Sequence, residues 1–171
     1  MIAKVIMLSL YVTYVTANTL QSSPYRLCEN KPPPYFFHVT GCGPTESVCP
    51  FYMSSQINSI VTFTIPDATK SMNVKVEFKY NNSSIWWPNI LPLNSGCLAG
   101  NNVNQCPAKQ GQVGSYSTGP ITIPFIPFQN NIPLTVKFML KDDKDRDIFC
   151  SIVDAVIKRR PVASSETNYV L

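Results

Sequence analysis

Met72-Asn73-Val74-Lys75-Val76-Glu77-Phe78-Lys79-Tyr80 alternates apolar and polar residues without a break. In an extended chain, successive side chains point to opposite faces. Met72, Val74, Val76, Phe78 and Tyr80 therefore share one face, and Asn73, Lys75, Glu77 and Lys79 share the other, which is the pattern of a strand with one buried and one wet side. Upstream, Ile57, Ser59, Val61, Phe63 and Ile65 repeat the pattern within a β-branched run. Downstream, Leu134, Val136, Phe138 and Leu140 alternate with Thr135, Lys137, Met139 and Lys141. Residues 148–157 read as a fourth strand, with shorter candidates at 35–40 and 119–125. No segment sustains a helical period. Pro88, Pro92, Pro107, Pro120, Pro124, Pro127 and Pro133 interrupt the spaces between strands and confine some of them to edges. Many short strands spaced by turns predict an all-β chain folded as a sandwich of two sheets.

The chain has 171 residues, 44% of them hydrophobic and only 14% charged. That is enough chain for one domain with a real core, and too apolar for a disordered protein. The sparse charge argues against a coiled coil, and a scattered net +4 gives no footprint for nucleic acid. Lys4 supplies a positive start, residues 5–15 an apolar run, and Val15-Thr16-Ala17 small residues before Asn18. These are the three parts of a secretory signal over residues 1–17. The apolar run falls well short of the ~20 residues of a membrane span. The domain is then expected over 18–157. Lys158-Arg159-Arg160-Pro161 opens a polar segment, 158–171, that lacks a strand pattern and reads as a flexible tail.

Six cysteines in a secreted chain read as three disulfides, for which 15 pairings exist. Cys42 with Cys49 and Cys97 with Cys106 are close enough to clip local loops, which would leave Cys28 and Cys150 to tie the first strand to the last. Asn81-Asn82-Ser83-Ser84 holds two overlapping glycosylation sequons, at Asn81 and Asn82. Chemistry is hard to find. The spacings are not those of zinc sites, and one histidine, His38, in a strand-like run, cannot complete a metal set. Asp143, Asp145, Asp147 and Asp154 fall at calcium-loop spacing, but Ile148 stands where the loop needs glycine, so a charged hairpin turn is the better reading. No nucleophile elbow or phosphate-cradling glycine loop is present, so no enzyme and no cofactor are expected. What remains is bulky apolar residues outside the long strands, at 85–93 and 121–128. Such residues either cap the core or line the mouth of a dry cavity for an apolar ligand.

The motifs converge on a family. Cys42 to Cys49-Pro50, Val61-Thr62-Phe63-Thr64, Trp87-Pro88 to Pro92, Gly96-Cys97, Cys106-Pro107 and Leu140-Lys141-Asp142-Asp143-Lys144 leading to Phe149-Cys150 follow one another in a specific order. The chain resembles the Niemann-Pick type C2 family of the ML (MD-2-related lipid-recognition) superfamily. The resemblance implies an immunoglobulin-like β-sandwich of two antiparallel sheets, with disulfides Cys28–Cys150, Cys42–Cys49 and Cys97–Cys106. It also implies a sterol, fatty acid or similar hydrophobic molecule bound between the sheets. The implied pocket takes in Val61, Phe63, Val76, Phe78, Trp87, Ile90, Tyr116, Phe125, Phe128, Ile132, Leu134, Val136 and Phe138. Asn89, Gln129 and Ser151 stand where the family favours aromatics, which widens the expected ligand beyond sterols. Ile60 replaces a sequon asparagine, so the extracellular space is expected over the lysosome. A secreted, monomeric lipid carrier in transient contact with a membrane or receptor is the leading expectation. The alternatives are an innate-immune module presenting microbial lipid to a receptor, and a plain sandwich with a filled core.

Overall fold

The computed structural model describes residues 21–80, 83–89, 95, 97, 106–127 and 129–160. The expected signal segment, both sequon asparagines, Ile90 and Phe128 lie outside the described residues. The strands run in chain order as β1 (Arg26–Leu27), β2 (Phe36–Val39), β3 (Cys49–Tyr52), β4 (Gln56–Ile57), β5 (Ser59–Thr64), β6 (Met72–Tyr80), β7 (Trp87–Asn89), β8 (Val113–Ser117), β9 (Ile121–Thr122), β10 (Ile132–Asp142) and β11 (Asp147–Lys158). There is no helix among the described residues.

The two longest strands, β10 and β11, form a hairpin at the centre of one sheet, ordered β1-β11-β10-β6-β7. A smaller sheet, β2-β5-β8, faces it, and the short β4–β9 pair carries on where that ladder stops. The pairing is antiparallel except at one place: β3 runs parallel to β11, Ala155 opposite Cys49. β1 and β3 thereby share one edge of β11, at residues 151–152 and 155–158. Ring contacts carry the joint between the layers. Phe37 on β2 meets Phe138 on β10 at 5.4 Å and Phe149 on β11 at 5.6 Å, geometries that aromatic pairs favour.

The alternating run at 72–80 is β6, and its first half alternates between buried and exposed as its sequence demands. From Glu77 onward both faces are half-buried, because the strand runs past the end of the facing sheet. The run read as one strand at 57–65 is two, broken at Asn58, and only Ile121–Thr122 of 119–125 is strand. Met139, expected on the wet face, is buried, since it sits opposite Cys150 beside a disulfide. β11 runs one residue into the polar segment that opens at Lys158. Lys158 ends β11, its carbonyl accepts the Met53 N–H at 2.8 Å, and Arg159 N–H donates to Asn130 Oδ1 at 3.0 Å.

The cysteines pair as Cys28–Cys150, Cys42–Cys49 and Cys97–Cys106. The first ties the neighbouring strands β1 and β11 within one sheet. The second joins the turn after β2 to the start of β3, and so links the smaller sheet to the larger.

Candidate functional site

β6 ends, β10 begins and β11 ends at the same pole of the sandwich, with Tyr80 opposite Leu134 and Ile132 opposite Ile157. The side chains there have lost their partner sheet, and they surround a cavity of about 320 Å³. Leu134 and Ile157 form its floor, both nearly fully buried. Phe78, Tyr80, Trp87 and Pro88 make one wall, and Ile121, Thr122, Ile123 and Pro124 make the other. This volume is within the range of about 300–1,000 Å³ that small-molecule pockets occupy, and its lining residues are apolar or aromatic except Thr122.

Local sequence explains the walls. Trp87 pairs with Phe78 and Pro88 with Glu77, so β7 adds an edge strand in which Pro88 is tolerated. Adjacent residues on an extended chain face opposite ways. Trp86 lies on the outer face, where Lys137 Nζ sits 4.1 Å and Lys79 Nζ 5.5 Å from its ring centre. Lys137 also pairs with Glu77 at 2.7 Å, which holds that cation in place. Trp87 turns to the cavity instead. Across the mouth, Ser54 N–H donates to the Ile123 carbonyl at 3.0 Å and Ile123 N–H to the Ser55 carbonyl at 2.8 Å, anchoring the segment that carries Pro124. Beyond it Phe125 is 66% exposed and Trp87 55%, so the rim is greasy on both sides. Burial raises the Tyr80 hydroxyl above its ordinary titration range, leaving it neutral at the wall.

The expected pocket residues divide between this mouth and the interior. Phe78, Trp87 and Leu134 line the mouth. Val61, Phe63, Val76, Tyr116, Ile132, Val136 and Phe138 are buried in the core. Midway between the sheets, Val61, Tyr116 and Phe138 border a gap of only about 10 Å³, room for one water at most. Burial pushes the Tyr116 phenol up to about 12. Phe63 also borders a separate apolar cleft at the opposite pole, of about 350 Å³, under Pro32, Pro33 and Pro34. Phe125 stands on the rim and is not among the lining residues. The lining residues that sequence reasoning left out are Tyr80, Pro88, Ile121, Thr122, Ile123, Pro124 and Ile157. The apolar run at 121–128 was their signal, but nothing local shows that it folds across from β7.

His38 stacks on Phe36 with ring centres 6.2 Å apart and lies 3.4 Å from Ser23 Oγ. The aspartates at calcium-loop spacing sit in the β10–β11 hairpin turn or beyond it, each engaged by the protein itself. Asp143 accepts from Thr69, Asp145 pairs with Lys75, Asp147 with Lys141, and Asp154 with Arg26.

A family profile described as the ML domain matches residues 22–157. The chain belongs to the ML-domain family. Among solved structures it is similar to a Niemann-Pick type C2 protein from the Japanese carpenter ant, at 19% identity and a TM-score of 0.65, covering 79% of this chain and 99% of that one. Chicken MD-1, solved in complex with lipid IVa, is a more distant likeness, at 15% identity and a TM-score of 0.47, covering 77% of this chain and 87% of that one. A search of curated proteins returned no match.

Proposed function

We propose that this ML-domain protein is a secreted carrier that binds an apolar molecule such as a sterol or fatty acid, and that it acts by binding rather than catalysis. The observation that carries this reading is the apolar mouth at the end of the sandwich, floored by Leu134 and Ile157 and rimmed by exposed Trp87 and Phe125. The floor residues belong to the inward rows of β10 and β11, so a ligand taken in there lies against the inner faces of both strands. A ligand hiding ~400 Å² of apolar surface gains about 10 kcal/mol gross at about 25 cal/mol/Å². Ordering costs bring that to roughly micromolar affinity or better. Three disulfides support an oxidising compartment.

The narrow gap between the sheets favours a second reading, a sandwich whose core is simply full. The two part on one experiment. Protein recovered from secreting cells is extracted and its lipid identified by mass spectrometry, and the stripped protein is titrated with an apolar fluorescent dye. A carrier yields a co-purifying lipid and a dye signal that lipid displaces. No lipid together with no dye uptake leaves only the filled sandwich.

A further inference from the structure

Ser151 is 0% exposed, and its hydroxyl has no hydrogen-bond partner among the described residues. It shares a face with Phe149 and Val153 on β11, since alternate residues of a strand point the same way. Across the ladder it stands opposite Phe138, whose ring reaches Phe37 on the facing sheet. The hydroxyl is therefore aimed into the space between the sheets, among apolar groups and beside the small central gap that Phe138 and Phe149 border. A buried hydroxyl without a partner is destabilising, and an alanine or valine there would serve a filled core better.

Resting on the carrier reading above, we infer that Ser151 is the polar anchor at the deep end of the ligand chamber, and that the ligand enters with a neutral oxygen group, a hydroxyl or carbonyl, leading. From Ile157 at the mouth to Ser151 the inner face of β11 runs roughly 20 Å at about 3.4 Å per residue, the length of a lipid-sized molecule. The groups flanking Ser151 in its own sheet, Phe149 and Val153 along the strand with Phe138 and Leu27 across the ladders, supply no cation, so an ionised carboxylate or phosphate would be left unpaired there. A neutral oxygen needs only the one donor that Ser151 provides. The sheets must part to admit it, since the side chains between mouth and anchor are packed in the closed state.

Displacement of N-phenylnaphthylamine by lauryl alcohol and by dodecane tests the anchor on the full chain and on Ser151→Ala. Wild type should prefer the alcohol to the alkane, and Ser151→Ala should lose about fivefold in affinity for the alcohol while holding the alkane unchanged. Thermal unfolding of Ser151→Ala should be as high as wild type or higher, whereas a structural serine would lower it. An equal effect of the substitution on both competitors, or none on either, overturns the anchor while leaving the carrier standing. Failure of wild type to take up the dye at all overturns the carrier reading and the anchor with it.

Discussion

At Asp142 the chain buries a carboxylate beside the turn between its two longest strands. Oδ1 accepts the N–H groups of Lys144 at 2.9 Å and Arg146 at 2.8 Å, and Oδ2 takes the Arg146 guanidinium at 2.7 Å. Burial works to raise this carboxyl, but those backbone and guanidinium hydrogen bonds outweigh it and leave the group below its ordinary value. A carboxyl depressed in the folded state stabilises above its unfolded pKa, near 4, and loses that contribution as pH falls through the folded value. Asp142→Asn should cost about 2–3 kcal/mol at neutral pH. The gap to wild type should close in acid, which denaturant midpoints measured from neutral pH downward will check. A gap independent of pH would show that the charge is not what matters. None of this was legible locally. The aspartates at 143–147 carry a metal-like spacing, and only folding reveals that Thr69, Lys75 and Lys141 already occupy them.

Strands with two-sided contrast, β6 and β10, could be read from alternation, because half of each faces water. β8 could not. Val113-Gly114-Ser115-Tyr116-Ser117 puts Val113 outward at 55% exposure and Gly114 inward, so the hydrophobic pattern carries no signal there. β7 escaped for another reason, since a proline inside Trp87–Asn89 reads as a loop until the strand proves to be an edge. That edge makes one wall of the mouth. Trp87→Asp should lower dye uptake by at least tenfold, through a charge set against an apolar cavity. Stability should shift by no more than about 0.5 kcal/mol, because the side chain is mostly exposed. Dye titration and thermal melts on the same samples separate the two effects. Unchanged uptake would remove β7 from the binding surface.

Across the whole molecule, the disulfides differ in reach and so in worth. Cys28–Cys150 spans 122 residues and Cys42–Cys49 spans 7. Loop entropy assigns about 4–5 kcal/mol to the first and about 2–3 to the second. Cys28→Ala/Cys150→Ala should therefore lower the unfolding free energy by roughly twice as much as Cys42→Ala/Cys49→Ala. Equal losses in chemical denaturation would point to the inter-sheet link at Cys42–Cys49 as the stronger constraint. By itself the sequence determined the all-β class, the main strands and the residues that would turn inward, because alternation is a local consequence of an extended backbone with one wet face. It could not say where the apolar residues leave room. Whether Phe78, Trp87 and Leu134 border an opening while Val61 and Phe138 meet in a closed core depends on where one sheet stops short of the other. That is a matter of relative strand ends, decided by pairing across the chain and written in no single segment.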